Sequence, residues 1–473
     1  MKLLDIARGA YVRSPEPLRR LLAPLVARVP TTMKFGATYR SWREQIAHAA
    51  ADPAYAGQAH LAALRALLQK AHAGSPFYRG LIDKAFGSGF DLATLQLTDL
   101  GRLPVLTKQA LRDAGNDALA EPVANLDEAT TSGNHTEQPF VFYLDKDRST
   151  REIAFVYDAW SRIGYGEQTA RACFRGFGLD AKGKRLHEWE PALRELRLSV
   201  FPMTVDDAAL YLDLIDERGI RFLYGYPSAI ELFCRHMRKL GRTPTLRIEG
   251  IMPISEPLFP HQRASIQSVL GEVPFACFYG LSEKALFAVE MPGRMDSYEF
   301  NPLYGLAELV DDDDAPVVEP GKLGRLVGTG FLSTGMPFIR YDTGDRARLL
   351  ELPSAENGQR LRVDAIMPRR NIDYLIAADG SHVVSLSLAP EDPIFFEGLQ
   401  EFQFYQDTPG EAVVRYIPVE GAVGDPAERL IANLNGQTHG AIRFSAKQVE
   451  RIAWGRAGKR AFVDQRLNMA DFE

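Results

Sequence analysis

Two short motifs contain the residues of this sequence that are best suited to chemistry. One reads Tyr279-Gly280-Leu281-Ser282-Glu283, and the other reads Ile339-Arg340-Tyr341-Asp342-Thr343-Gly344-Asp345. Each follows an apolar run typical of a strand, at residues 274–278 and 336–339, so each is expected in a turn at a strand end. A carboxylate there can bind a sugar hydroxyl or a cation, so the pair predicts a nucleotide site. Alone, an Asp-Thr-Gly-Asp segment is more often a turn that caps its own backbone.

A third segment, residues 130–139, is rich in hydroxyl groups and precedes a predicted strand at 140–143. Hydroxyls and exposed backbone N–H groups in a glycine-containing turn can bind a triphosphate without a catalytic base. The candidate phosphate-binding residues are Thr131, Ser132, Gly133 and Thr136. The alternative is an ordinary polar loop in front of the strand.

The middle of the chain alternates short apolar runs with helical patterns. A run at 199–203 precedes a predicted helix at 208–218, and a second run at 221–225 leads through Tyr226 and Pro227 into another helix. The strand predicted at 251–253 likewise ends in a polar turn before a helix at 261–270. Such strand–helix–strand units predict a parallel sheet with helices on its faces. In the family that the motifs of this chain resemble, the segment with Tyr224, Tyr226 and Pro227 lies beside the substrate pocket, which the two tyrosines could line; packing in the core is an equally good interpretation.

Composition limits the classes of partner. The chain has 473 residues, 46% of them hydrophobic, and a formal charge of −6 without a basic block, so nucleic acid is not expected as a partner. No apolar run approaches the roughly 18 to 20 residues that cross a bilayer. Its three cysteines are far apart in apolar surroundings, which predicts buried thiols in a reducing compartment and hence a cytoplasmic location. The four consecutive acids at 311–314 resemble a metal cluster, but a solvated hairpin tip is the favoured interpretation.

The wording and order of these motifs resemble the adenylate-forming superfamily of acyl-coenzyme A synthetases, adenylation domains and luciferases. Phe-Tyr-Gly-Leu-Ser-Glu at 278–283 and Pro-Phe-Ile-Arg-Tyr-Asp-Thr-Gly-Asp at 337–345 look most like the phenylacetate-coenzyme A ligase branch. Its members associated with capsular polysaccharide biosynthesis are the most similar, also in the earlier segments 75–79 and 103–108. The resemblance extends over residues 75–466.

The resemblance implies an α/β fold with a large, multi-subdomain N-terminal domain, residues 1–368, whose parallel-containing sheets are flanked by helices. A hinge at Asp373 would join it to a small α+β C-terminal domain, residues 369–473. Alternating patterns predict antiparallel strands within 304–332. In the small domain they predict strands at 401–406 and 411–418 and a helix at 426–435.

The resemblance also implies roles for individual residues. Tyr279, in the motif with Gly280 and Ser282, would stack on adenine; Ser255, Glu256 and Pro257 would lie near it. Glu283 would hold Mg²⁺ at the α-phosphate, and Asp345 would accept hydrogen bonds from both ribose hydroxyls. Arg370 would point toward the nucleotide, and Lys459 corresponds to the catalytic lysine. The phosphate-binding loop departs from the family pattern, because it has one apparent extra residue and no second glycine.

The implied function is ATP-dependent, AMP-forming ligation of a small-molecule carboxylic acid. Because the carboxylate is already ionised at neutral pH, no general base is required. Coenzyme A is the default acceptor; a carrier protein or a polysaccharide precursor is the alternative. Aromatic residues hint at an aryl or small apolar acyl group, and a homodimer is expected only because dimers are common. A nucleotide-binding homologue without full turnover is a second hypothesis. An unrelated dehydrogenase ranks last because no Gly-x-Gly-x-x-Gly joins a strand to a helix.

Overall fold

The computed structural model describes most of the chain. It covers residues 35–130, 140–175, 186–200, 203–255, 260–367, 374–384, 398–418, 425–438, 440–452 and 463–468, together with the single positions 18, 22, 25, 26, 28, 29, 258, 388 and 472. Everything said below about the structure refers to these residues. Thr131, Ser132, Gly133, Thr136, Glu256, Pro257, Arg370, Asp373 and Lys459, all of them predicted site or hinge residues, lie outside them.

The first described part is helical, as predicted. Helices α1 (Gly36–Ala51), α2 (Pro53–Gly74) and α3 (Pro76–Phe86) follow one another with minimal connections. Asp52 caps α2 by accepting hydrogen bonds from the N–H groups of Ala54 and Tyr55, and Ser75 caps α3. Thr107 caps α4 (Lys108–Ala114) in the same way.

A five-stranded sheet carries the predicted strand–helix–strand units. Its strands are β3 (Arg171–Phe174), β4 (His187–Glu190), β5 (Glu195–Leu198), β6 (Phe222–Gly225) and β7 (Gly250–Pro253), in the order β4-β5-β3-β6-β7. Strands β5, β3, β6 and β7 are parallel. Helix α5 (Arg148–Ser161) precedes β3, α6 (Val205–Glu217) connects β5 to β6, α7 (Pro227–Leu240) connects β6 to β7, and α8 (Pro260–Leu270) follows β7. The parallel sheet is therefore confirmed, although β5 begins earlier than the strand predicted at 199–203.

A seven-stranded antiparallel sheet carries both acidic motifs. Its strands are β8 (Phe278–Gly280), β9 (Phe287–Glu290), β10 (Ser297–Phe300), β11 (Gly305–Val310), β12 (Leu323–Gly330), β13 (Tyr341–Glu351) and β14 (Arg362–Met367), in the order β11-β12-β13-β14-β10-β9-β8. A separate hairpin pairs β1 (Leu126–Thr130) with β2 (Val141–Asp145).

The strand predicted at 336–339 is wrong. Met336 and Phe338 are buried in the core, but the strand begins only at Tyr341. Pro337 has no N–H group to donate to a ladder, which explains why a buried apolar run here does not extend the sheet. The second motif consequently opens a strand instead of following one, and the first motif begins inside β8.

The C-terminal strands and helix form a separate sheet with its own core. Hairpin β15 (Tyr374–Ile376) and β16 (His382–Val384) precedes a four-stranded sheet of β17 (Leu399–Thr408), β18 (Glu411–Pro418), β19 (Arg443–Gln448) and β20 (Val463–Gln465), ordered β19-β18-β17-β20. Helix α9 (Glu428–Thr438) packs on this sheet. The predicted strands and helix of the small domain are thus confirmed, and a fold with a large N-terminal and a small C-terminal domain is observed.

Burial separates the large domain into three apolar clusters and gives the small domain a fourth. Cys173, Cys234 and Cys277 are buried free thiols in the large domain, as predicted. No described helix is both long enough and apolar enough to span a bilayer.

Candidate active site

The second motif sits on a bulge in β13. Between the pairs Val327–Asp342 and Arg325–Arg346, β12 advances by two residues while β13 advances by four. Gly344, with φ of 79°, has the left-handed backbone that this bulge requires. The Asp342 carboxylate accepts a hydrogen bond from the Gly344 N–H at 2.8 Å, and the Asp345 N–H donates to the Thr343 hydroxyl at 3.1 Å. The local self-capping expected of such a sequence is present, and it fixes the backbone that carries Asp345.

Asp345 is in direct contact with the first motif. The Tyr279 hydroxyl donates a hydrogen bond to Asp345 Oδ2 at 2.6 Å. Three strands separate β8 from β13 in the sheet order, so in a flat sheet these strands would lie about 19 Å apart. The hydrogen bond therefore shows that the sheet is strongly curved, which brings the two motifs together. Burial, followed by the neighbouring Asp345 carboxylate, raises the pKa of Tyr279, so it remains a hydrogen-bond donor.

A second hydrogen bond joins the two motifs, and here the second motif supplies the tyrosine and the first supplies the carboxylate. The Tyr341 hydroxyl, from the second motif, donates to Glu283 Oε1 of the first at 2.9 Å. The Glu283 side chain is only 7% exposed, and Lys108 Nζ, at the start of α4, lies 3.8 Å from the same oxygen. Each motif thus supplies a tyrosine that orients the other motif's carboxylate. Sequence reasoning did not identify Tyr341 and Lys108 as partners, because both contacts depend on the curvature of the sheet and the placement of α4.

The segment that leads into the second motif is held by Asp145, at the end of β2. Its carboxylate accepts hydrogen bonds from the N–H groups of Gly335 at 2.8 Å and Thr334 at 3.2 Å, and it pairs with Arg151 at 3.0 Å. Burial opposes the charge, but these donors outweigh it and hold the pKa of Asp145 below its usual value. The hairpin whose strands flank residues 131–139 is therefore tied directly to the acidic motif.

The remaining predicted pocket residues lie at the carboxyl edge of the parallel sheet. Tyr224 lies in β6 and its side chain is buried. Tyr226 follows that strand and is half-buried, and Pro227 is the first residue of α7. Ser255 follows β7 and is exposed with φ of 67°.

Two further predicted nucleotide-site residues belong to the antiparallel sheet. Gly280 ends β8, and Ser282 is exposed in the turn before Glu283.

The acids at 311–314 are all exposed in the turn between β11 and β12, as predicted for a solvated hairpin tip, and two of them also pair with arginines. Arg346 contacts Asp312 at 2.5 Å, and Arg325 contacts Asp314 and also Asp342 of the second motif, the latter at 2.6 Å. Among the described residues, no group of three or more His, Cys, Asp or Glu side chains is arranged to hold a metal ion. Glu283 nevertheless fits Mg²⁺, because this cation is often bound through a single carboxylate plus substrate oxygens and water.

The fold is that of an adenylate-forming enzyme. The structure is similar to 2-hydroxyisobutyryl-CoA ligase, crystallised with an acyl-adenylate and CoA, with a TM-score of 0.53 and 19% identity over 87% of this chain and 90% of that one. No protein-family profile matches the sequence.

Sequence relatives indicate which kinds of adenylate-forming protein this chain is similar to. The chain is 24% identical to protein CapK of Staphylococcus aureus over 347 residues, which is 70% of this chain and 72% of CapK. It is 29% identical to a phenylacetate-coenzyme A ligase of Thermus thermophilus over 276 residues, 57% of this chain and 60% of that enzyme. The corresponding ligase of Escherichia coli is 27% identical over 343 residues, 71% and 75% of the two chains. The chain is thus a homologue of phenylacetate-coenzyme A ligases and of CapK, and it has the fold of an adenylate-forming ligase.

Proposed function

We propose that this protein is an AMP-forming carboxylate ligase that makes an acyl-adenylate from ATP and passes the acyl group to coenzyme A. The observation that supports this proposal best is the reciprocal pairing of the two motifs. Tyr279 orients Asp345 and Tyr341 orients Glu283, so two carboxylates with different tasks are fixed in one place.

The roles follow from the chemistry of each group. Asp345 offers two acceptor oxygens to the ribose hydroxyls, and Tyr279 lies beside it at the position proposed for adenine. Glu283 is the ligand proposed for Mg²⁺, which when bound offsets charge on the α-phosphate. Ser255, Glu256 and Pro257 are proposed near the base, and Thr131, Ser132, Gly133 and Thr136 near the outer phosphates. Gly280 and Ser282 complete the turn before Glu283.

Catalysis in this proposal rests on alignment and charge stabilisation. The substrate carboxylate is the nucleophile and attacks the α-phosphorus, and pyrophosphate leaves with the bonding electron pair. Lys459 and Arg370 are proposed to stabilise the negative oxygens during this step. The domain boundary at residue 368, with Asp373 as hinge, would let the small domain withdraw Lys459 before acyl transfer.

The test is pyrophosphate release from ATP and Mg²⁺ over a panel of carboxylic acids, first without an acceptor and then with coenzyme A. Glu283→Gln should lower the rate with saturating ATP by about a hundredfold or more, since a metal-binding carboxylate is lost. Glu319→Gln, an exposed carboxylate remote from the motifs, is the control and should leave the rate unchanged. Measurable ATP binding without release for any acid would instead favour a nucleotide-binding homologue. Release without thioester formation would point to a carrier protein or a polysaccharide precursor as the acceptor.

Lys459 separates the two half-reactions. Lys459→Ala should abolish acyl-adenylate formation yet spare thioester synthesis from supplied acyl-adenylate, because the lysine acts only while charge develops on the phosphate. Both steps can be followed by quenched single-turnover assays. Equal losses in the two steps would contradict this role.

A further inference from the structure

The carboxyl edge of the parallel sheet is a tightly joined surface. The Tyr226 N–H donates to the Phe174 carbonyl at 2.9 Å, and the Ile254 N–H donates to the Gly225 carbonyl at 3.0 Å. A Cβ atom at Gly225 would lie 2.1 Å from the Phe174 oxygen, so only glycine permits this approach of β6 to β3. The residues that follow β3, β6 and β7 therefore lie side by side. Ligands of open parallel sheets bind at this edge.

Arg175 is the first residue after β3 at this edge. Its guanidinium lies 5.9 Å from the centroid of the Tyr224 ring, and its Nη1 donates a long hydrogen bond of 3.4 Å to the Tyr224 hydroxyl. Its Nε is buried and has no hydrogen-bond partner. Within the part of the chain that the structure describes, no carboxylate forms an ion pair with Arg175.

The neighbouring arginine shows what a compensated guanidinium looks like in the same surroundings. Arg171, on β3, lies 4.8 Å from the Trp160 ring and 4.7 Å from the Tyr224 ring, and it pairs with buried Glu195 at 2.7 Å. Glu195 is also bonded to Arg197 at 3.1 Å, so its charge is already shared by two cations. The half-buried guanidinium of Arg175 has only tyrosine hydroxyls, those of Tyr224 and Tyr226, as described acceptors, and its desolvated Nε has none, so its charge is not balanced by a described anion.

We propose that Arg175 binds a second anionic group on the carboxylic acid, so that the acyl substrate is a dicarboxylic acid or a similar acid with a negative group at its far end. This inference rests on the proposed ligase function. A carboxylate matches the planar donor pattern of a guanidinium and would supply the anionic partner that the tyrosine hydroxyls do not. The ring of Tyr224 contacts two guanidinium groups, which differs from the aryl or apolar pocket that the sequence suggested.

This edge of the parallel sheet is connected to the motif that carries Glu283. Ile251 of β7 forms a parallel bridge with Phe275, and the chain then runs directly into β8 and Glu283. An acid whose reacting carboxylate faces the nucleotide motif would thus extend its far end toward the edge formed by Arg175, Tyr224 and Tyr226.

The kinetic test compares each dicarboxylic acid, over a range of chain lengths, with its own monoamide, which has the same shape but a neutral end. The wild-type enzyme should favour at least one diacid by about tenfold or more in kcat/KM for pyrophosphate release, as expected for a charge-assisted hydrogen bond. Arg175→Gln should remove this preference by slowing the diacid alone, and Arg175→Lys should retain part of it. Equal use of diacid and monoamide by the wild type, or an unchanged preference in Arg175→Gln, would overturn the proposal.

Arg218 provides a matched control. Its guanidinium stacks on Trp189 at 4.5 Å and its Nε is also buried without a partner, but it lies at the end of α6, before β6 begins. Arg218→Gln should leave the diacid preference intact. If it abolished the preference equally, a general effect on packing would be the cause, and thermal unfolding of each variant would show this.

Equilibrium binding separates a failure of this inference from a failure of the ligase proposal. Titration calorimetry should show that the preferred diacid binds the wild type more tightly than its monoamide, and that Arg175→Gln removes the difference. If no acid supports pyrophosphate release while this binding pattern holds, the ligase proposal fails and the anion site stands. If turnover occurs with neutral acids but no diacid binds preferentially, the ligase proposal stands and the anion site is refuted. Loss of coenzyme A transfer alone in Arg175→Gln would assign Arg175 to an acceptor phosphate and would also overturn the proposal.

Discussion

Glu283 shows how much of a candidate site depends on side chains that do not themselves do chemistry. It is a buried carboxylate, and its described contacts are the Tyr341 hydroxyl at 2.9 Å and Lys108 at 3.8 Å. The Tyr341 hydroxyl and the Lys108 ammonium together hold the orientation of a carboxyl group that is largely removed from water. The same arrangement recurs at Asp345 with Tyr279, so the two tyrosines can be tested against each other.

Tyr341→Phe should lower kcat by about tenfold with little change in the KM for ATP, because a hydrogen bond that positions the metal-binding carboxylate is lost. Tyr279→Phe should chiefly raise the KM for ATP, because Asp345 would bind the ribose. Steady-state kinetics of both variants at saturating acid measure the difference. Indistinguishable effects on kcat and KM in the two variants would argue against separate roles.

At this scale the sequence identifies residue types better than partners. Glu283 and Asp345 were recognisable because their two motifs occur together, in an order and wording that match a known family pattern. The contacts Tyr279–Asp345 and Tyr341–Glu283 could not be read from spacing, since they close across several strands of a curved sheet. Arg175 was missed because nothing in a sequence shows that an arginine lacks a carboxylate neighbour.

Among the secondary-structure elements, the connection between β2 and the segment before β13 has the clearest energetic role. Asp145 satisfies two backbone N–H groups of that segment and the guanidinium of Arg151. Replacing Asp145 by a residue without an acceptor would leave the N–H groups of Thr334 and Gly335 without this hydrogen-bond partner.

Asp145→Asn should reduce the free energy of unfolding by about 1–3 kcal/mol at pH 7, because hydrogen bonds to an ionised group are weakened. The folded-state pKa of Asp145 is lowered, so its contribution is fully present above the unfolded value of about 3.9 and is lost as the pH falls through the lower folded pKa. Urea unfolding of both proteins between pH 7 and pH 3 measures this. The difference should shrink toward the acid end; a constant difference would exclude a role for the charge.

The start of a helix carries a local signal in the sequence that the pairing of a strand lacks. Asp52, Ser75 and Thr107 cap helices through bonds within a few residues, so the signal lies in the sequence itself. The run at 336–339 is as apolar as a strand, but whether it pairs depends on Pro337 and on which strands lie next to it. Burial alone therefore does not distinguish a strand from a core loop.

On the scale of the whole molecule, the small domain touches the large one through hairpin β15–β16 and helix α7. Met203, Leu232 and Val383 line a small cleft between them, and Asp379 of the hairpin lies near His236 and Lys239 of α7. The division into two domains followed from the resemblance, but this particular contact could not be derived from sequence. The proposed domain movement would have to separate the hairpin from α7 at this contact.

A double variant, Lys239→Cys with Asp379→Cys, joined by a short bifunctional thiol reagent, should lower steady-state turnover by about tenfold or more, because the mechanism proposed above moves the small domain between half-reactions. One half-reaction should persist in a single turnover. The uncoupled double variant and both single variants treated with reagent are the controls. Full turnover with the link intact would show that this contact need not open.

The three native cysteines can report on the opening of the large domain. Burial raises the pKa of Cys173, Cys234 and Cys277, so each thiol is protonated and shielded in the folded protein. They sit in β3, in α7 and immediately before β8, and the small domain has none. The rate at which a thiol reagent modifies the unaltered protein therefore measures how often the large domain opens, without a probe having to be introduced. Ligands that bind between the sheets of the large domain should lower the rate of thiol modification, whereas motions confined to the small domain should leave this rate unchanged.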